Sequence, residues 1–401
     1  MRALSEFIPP EHNRAVIAFC QFFIPIYCRY IDHFTCRFRD EQQSVAALRD
    51  KRTIILLNHA DRQDPSVVVF LAKHLKEPIH CMVAREVFDW YHGVLGWFFQ
   101  KFGCYSVNRG VGDTTSIETT KRILKEGKHK LVVFPEAEIT GDDHLVHTIS
   151  TALVHILTEV QEEISEPLWV LPVGISYKLE TALEVCLEKA LNAVEKQVGI
   201  KNRAPEISTR ISNAIDKLIS NLADHYSFVV LSDHTQAEKV SGLTKHICHR
   251  IAQFIGTEIA HKTPEQLLYL LRNAVDEKLG THLPEGDHQK KLSKRNRQFH
   301  DEFINDLNRV ENLLIFHRVL QQPSSAIHVC RTVDFLEIET IGRISSKGRQ
   351  VATVYFGEPL LVSDYLKQYK ESKHAAIAEL KSAIHDRLQT ALDCSQSLNS
   401  V

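Results

Sequence analysis

The stretch TIILLNHADRQDP, Thr53–Pro65, decides how the chain folds. Thr53–Leu57 is a short β-favouring apolar run that stops at Asn58, the pattern of a buried strand. A polar run follows, and Asp64-Pro65 then reads as a helix start. Proline suits the first helical position because the N–H it lacks would have no partner there. A strand end that leads into a helix is the usual place for a site in an open α/β sheet.

The same alternation continues outward from this stretch. Ile79–Ala84 (IHCMVA), Cys104–Val107, Leu131–Phe134 (LVVF) and Leu168–Tyr177 read as strands. Pro65–His74, a segment capped by Asp113 and closed by Gly127, and Ile149–Ile164 read as helices. The order predicts an α/β fold with a mixed, mostly parallel sheet flanked by helices. From about Lys178 helical periodicity takes over, with Ile207, Ile211, Ile215, Leu218 and Leu222 on one face. Val351–Phe356 (VATVYF) is a late strand that can return to the first sheet, followed by a closing helix from Asp364 to about Leu392. The expected organisation is an N-terminal helical segment over 1–49 and an α/β core over 50–177. A long helical insertion over 178–345 follows, and 346–401 returns to the core.

Composition narrows the classes. The chain has 401 residues and a net charge of −2, which argues against a nucleic-acid polycation. Its 16 glycines and 13 prolines are few for this length and favour long helices. Nine scattered cysteines without a CxxC pair suit reduced thiols and not a disulfide frame or zinc site. Ala15–Cys28 (AVIAFCQFFIPIYC), flanked by Arg14 and Arg29, reads either as a helix lying in a membrane interface or as one packed on the core. Its fourteen residues predict peripheral or monotopic attachment, and no secretory signal is expected at the start. The aromatic stretch Val87–Phe102 has the same two readings, as has the basic stretch Pro284–Arg297 between solvated surface and lipid contact.

Several residues could carry chemistry. His59 could take a proton from a hydroxyl near neutral pH, given a carboxylate on its other nitrogen. Asp64 is the candidate orienter and Asp61 its rival, while a plain helix cap accounts for Asp64 equally well. Arg109, at the end of the Gly103–Gly110 stretch (GCYSVNRG), offers the guanidinium fork that grips phosphate or carboxylate. Glu136 follows a buried strand in Phe134-Pro135-Glu136 and could hold an acceptor hydroxyl or a neighbouring arginine. Asp142, Asp143, His144 and His147 form a polar turn without a second cluster to complete a metal site, so no metal is expected. No Gly-x-Ser-x-Gly elbow and no Gly-Lys-Ser/Thr phosphate loop is present.

Taken in order, these pieces resemble the glycerolipid acyltransferase superfamily. His59 and Asp64 resemble its His-x4-Asp block, and Gly103 to Arg109 its second block. Phe134-Pro135-Glu136 resembles the third, and Leu171-Pro172-Val173-Gly174 the fourth. The resemblance implies direct acyl transfer from acyl-CoA or acyl-carrier protein, as co-substrate and with no cofactor, to the hydroxyl of a lysophospholipid or glycerol-phosphate-type acceptor. It implies His59 as general base, Asp64 as its orienter, Arg109 and Glu136 as acceptor contacts, and Gly103, Pro172 and Gly174 as shapers of the substrate wall. The implied place is the cytoplasmic side of a membrane, with lipid and thioester as partners and no nucleic acid. The third block of that family usually continues Gly-Thr-Arg, whereas Ala137-Glu138-Ile139 stands here, so a cation is missing at Ile139. A non-enzymatic membrane-associated scaffold on the same fold is the alternative that this departure and the long insertion would suit.

Overall fold

A computed structural model describes the chain apart from residues 1–5, 41–42, 110–111, 260–261, 280–286, 323–324, 367–368, 370–371 and 401. Two compact units emerge. One takes the chain up to Asn108, Gly112–Thr181 and the part from Gly348 onward; the other takes Arg109 and Ala182–Lys347.

The first unit is built on an eight-stranded sheet. Its strands are β1 (Phe34–Arg39), β2 (Thr53–Leu57), β3 (Ile79–Ala84), β4 (Cys104–Val107), β5 (Lys130–Val133), β6 (Trp169–Leu179), β7 (Gln350–Phe356) and β8 (Leu360–Leu361). The order is β1-β7-β6-β2-β5-β3-β4, with β8 paired to β6. Neighbours from β6 to β4 are parallel, β7 runs antiparallel to β6, and β1 is parallel to β7. The expected α/β class with a mixed, mostly parallel sheet is therefore what the chain adopts. All five residues of β2 are buried, as a central strand covered on both faces requires. The late strand β7 does return to this sheet.

Helices α1 (Arg14–Tyr27), α2 (Ser44–Ala47), α3 (Asp64–Leu75), α4 (Val94–Lys101), α5 (Thr114–Glu126) and α6 (Thr151–Glu163) belong to the same unit. The second unit is helical throughout: α7 (Leu183–Val198), α8 (Ile207–Tyr226), α9 (Gln236–Ile255), α10 (Pro264–Leu279), α11 (Asp287–Gln321) and α12 (Ala326–Ile341). The closing helix α13 (Lys373–Ser400) returns to the sheet unit and packs on β6 and β7. Residues 284–286 of the basic stretch lie outside the described residues, and 287–297 form the start of α11.

Two readings of the N-terminal segment need correction. It is not wholly helical, because β1 lies inside it and pairs with β7 along six residues. Its apolar helix is also longer than the sequence run suggests. Pro25 cannot donate to the helical ladder, yet the helix continues through a wider turn, Cys28–Asp32, and stops at left-handed His33. The resulting Arg14–Asp32 helix of 19 residues is long and apolar enough, by length and composition, to cross a membrane. It packs through Val16, Ile17 and Cys20, while Phe19, Phe22, Phe23, Tyr30 and Ile31 are exposed.

Candidate active site

The parallel strands bring their carboxyl ends to one edge of the sheet. His59 lies two residues past β2 and Glu136 three past β5, and these two strands are neighbours. Asn58 locks the exit of β2 to β6: its Nδ2 donates to Ile175 O at 3.0 Å, and Ile175 N donates to its Oδ1 at 2.7 Å. The chain then turns so that Asp64 opens α3 with Pro65 in the first turn; Gln63, not Asp64, is the capping residue.

This turn aims Asp64 at the imidazole. His59 Nδ1 lies 2.7 Å from Asp64 Oδ2, which also accepts Asp61 N at 2.9 Å. Tyr177 donates its hydroxyl to Asp64 Oδ1. The Asp61 side chain accepts Gln63 N at 3.0 Å within the same turn. Asp64 is fully buried, whereas the His59 side chain is 16% exposed. The carboxylate is thus closed off and the imidazole keeps an open side. Burial, then the Asp64 charge, holds the Tyr177 phenol well above its ordinary range, so Tyr177 stays a donor. The Phe134 ring stacks on the imidazole at 4.1 Å and limits its rotation.

Glu136 does something other than expected. Its Oε2 accepts His59 N at 2.6 Å and its Oε1 accepts His147 N at 2.7 Å. Each oxygen accepts a backbone N–H, so Glu136 ties the His59 turn to the loop that carries His147. Burial raises its pKa, against the pull of these two N–H donors and of the His147 and His59 charges. Thr140 completes the clamp, donating from N at 2.8 Å and Oγ1 at 3.0 Å to His59 O. Ala137 takes φ +63° in the turn after Glu136, a conformation that glycine adopts without strain; this accounts for the glycine of the family pattern at that place.

Gly174 would carry a Cβ 2.3 Å from backbone atoms of Ala391, so it is the position where α13 presses on β6. Pro172 shares that face of the strand and meets Gly357, opposite the face that sends Tyr177 to Asp64. Gly103 precedes β4 at the sheet's edge, with φ +107° and a virtual Cβ 2.2 Å from His12 Nε2. The glycine admits His12 of the N-terminal segment. Arg109 belongs to the helical unit, where its guanidinium donates to Tyr269 at 2.9 Å and Glu311 at 3.1 Å and stacks on the Tyr269 ring at 4.6 Å.

Sequence reasoning missed Tyr177 and Thr140. Alternation along Leu171–Tyr177 was the available signal for Tyr177, since it places Val173, Ile175 and Tyr177 on one face.

With this geometry in place, comparison with known proteins gives the class. The family described as Acyltransferase matches residues 35–176. The match covers β1 through most of β6 and contains His59, Asp64, Glu136 and Thr140. It supports acyl transfer as the activity. No curated protein matches the chain as a relative.

Proposed function

We propose that the chain moves a fatty acyl group from a thioester donor, acyl-CoA or acyl-carrier protein, to the hydroxyl of a lipid acceptor of the lysophospholipid type at a membrane surface. The observation that supports this most directly is the 2.7 Å contact between His59 and a carboxylate with no solvent exposure. Asp64 holds the proton on Nδ1 and leaves the Nε2 lone pair on the open side. Nε2 takes the acceptor hydroxyl's proton as the oxygen attacks the thioester carbonyl. The carbon–sulfur bond breaks, and the proton passes from His59 to the departing thiolate. No acyl-enzyme forms in this scheme.

The membrane surface enters through exposed aromatics. Phe22 is 60% and Tyr91 78% exposed, with Trp90 and Trp97 nearby in sequence, and Phe19 of α1 stacks on Phe98 of α4 at 5.9 Å. Aromatic side chains on adjoining helices suit the border between headgroups and acyl chains.

One experiment tests both parts: thioester release on vesicles carrying a panel of lysolipids, comparing wild type with His59→Ala. Turnover should fall about a hundred- to ten-thousand-fold in the variant, while both proteins sediment with the vesicles. An active, folded His59→Ala protein removes the general base. Vesicle binding without turnover on any acceptor is the outcome of the scaffold alternative.

A further inference from the structure

One buried group at the site has no part in the acyl-transfer scheme: the phenol of Tyr177. It lies on β6, one residue past the matched stretch 35–176. Its hydroxyl donates to Asp64 Oδ1, and its N donates to Asp143 Oδ2 at 2.9 Å. The Phe34 ring of β1 packs against it with centroids 6.1 Å apart. A buried phenol has to place its hydroxyl on some partner; here that partner is the carboxylate behind the general base.

Three donors converge on this carboxylate. Oδ2 meets Asp61 N at 2.9 Å and His59 Nδ1 at 2.7 Å, while Oδ1 takes the Tyr177 hydroxyl. Two of them, a backbone N–H and a phenol anchored on a sheet strand, are fixed by the scaffold. They set the plane of the carboxylate, and the imidazole follows it. Removing the hydroxyl leaves Oδ1 without that donor in a side chain with no solvent exposure. Asp61 N, on the other oxygen, then remains as the tie between the carboxylate and the backbone. The same strand grips the turn before His59 as well. Asn58 exchanges hydrogen bonds with the backbone of Ile175 at 3.0 and 2.7 Å, two residues ahead of Tyr177. Strand β6 thus holds the turn at Asn58 and at Asp64, with His59 between them.

We propose that Tyr177 is a positioning residue of the reaction: its hydroxyl locks the Asp64 carboxylate and, through it, the orientation and Nδ1–H tautomer of His59. This rests on the acyltransferase reading above and deepens it by adding a third member to the His59–Asp64 pair. Tyr177 acts from behind Asp64, and His59 moves the proton.

The test measures thioester release on lysolipid vesicles for wild type, Tyr177→Phe, Asp64→Asn and the double variant, with turnover counted per folded molecule. Tyr177→Phe removes one oxygen and keeps the ring beside Phe34. Its kcat should fall about tenfold or more, the value of one hydrogen bond to a charged group, while KM for donor and acceptor stays within about twofold. In the Asp64→Asn background the same change should cost less than about twofold, because the orientation it supports is already lost. An unchanged kcat per folded molecule, a rise in KM alone, or the same loss in both backgrounds overturns the proposal and leaves His59 as general base. A second readout needs no turnover. The Nδ1–H proton of His59 should give a downfield magnetic-resonance line, identified by its absence in His59→Ala, and Tyr177→Phe should broaden it through faster exchange with water. A line unchanged in Tyr177→Phe, or missing from the wild type, overturns the proposal. A wild type that releases no thioester with any acceptor removes the acyltransferase reading, and the resonance then decides by itself whether Tyr177 fixes the ring.

Discussion

In the helical unit Glu195 is buried with both oxygens on Arg210, at 2.7 and 2.8 Å, and Arg203 adds a third contact at 3.0 Å. Lys347 is equally enclosed, between Asp334 at 2.7 Å and Glu337. At the sheet's carboxyl edge Asp64 is just as buried, but its partners are a tyrosine hydroxyl, a backbone N–H and an imidazole with one open side. At Glu195 and Lys347 of the first region the buried charge meets an opposite charge directly. In the second, the buried charge acts through a ring that faces outward. Burial of a charge alone does not mark a site; what its partner still has free does.

The sharpest break of this contrast is at Asp64. Asp64→Asn keeps the size but removes the anion that fixes the imidazole tautomer. Turnover should fall about a hundred- to ten-thousand-fold, with the melting temperature changed far less than activity. A variant that loses stability and activity in parallel would place Asp64 with the structural pairs of the other unit.

Glu195→Ala is the converse experiment. It removes the partner that takes two hydrogen bonds from Arg210, leaving Glu188 at 2.9 Å and Asn192 at 2.8 Å, and breaking a buried pair costs up to about 3–5 kcal/mol. Denaturant unfolding should report the loss, while thioester turnover per folded molecule stays at the wild-type level. Lower turnover in the folded fraction would mean that the helical unit takes part in the chemistry.

How much of this was readable in advance follows from what each signal encodes. Strands such as Thr53–Leu57 and Cys104–Val107 announce themselves by composition and by a sharp polar stop. Strand β1, FTCRFR, carries a period-two pattern of Phe34, Cys36 and Phe38, yet its interleaved arginines and the adjacent apolar helix mask it. The His59–Asp64 pair was legible because a five-residue spacing across a turn fixes the geometry locally. Glu136 and Arg109 were not, since a side chain's type gives its chemistry but not its partner. Those partners, His147 N for Glu136 and Tyr269 and Glu311 for Arg109, are set by contacts distant in sequence.

A third histidine cluster separates stability from chemistry by pH. His12, His80 and His129 form a ring cluster, with His12–His80 tilted at 4.4 Å and His12–His129 edge-on at 4.8 Å. Burial first, then the neighbouring His12 charge, pushes the His80 pKa down to about 4, against the pull of the Gly103 carbonyl. His129 is lowered too, by burial and by His12. The unfolded chain binds a proton on His80 near pH 6.5 and the folded chain only near 4, so stability is complete above pH 6.5 and declines as pH falls through that window. The loss should be on the order of 3 kcal/mol by pH 4. His80→Asn should flatten the decline in acid unfolding curves; an unchanged slope would clear the cluster of any part in it.

The smallest expected effect tests where Arg109 belongs. A residue that gripped the acceptor phosphate would lose its planar fork in Arg109→Lys, and the acceptor's KM would rise while stability held. The contacts within the helical unit predict the reverse. Lysine keeps the charge near Glu311 but loses the geometry shared with Tyr269, both the 2.9 Å hydrogen bond and the 4.6 Å stacking. A partly exposed pair and one ring contact together are worth about 1 kcal/mol. Arg109→Lys should therefore lower unfolding free energy by about that much and leave the ratio of KM values for phosphorylated and neutral acceptors unchanged. A ratio that moves with Arg109 returns the phosphate to the second block. An unchanged ratio with lowered stability leaves Arg109 to the packing of the helices.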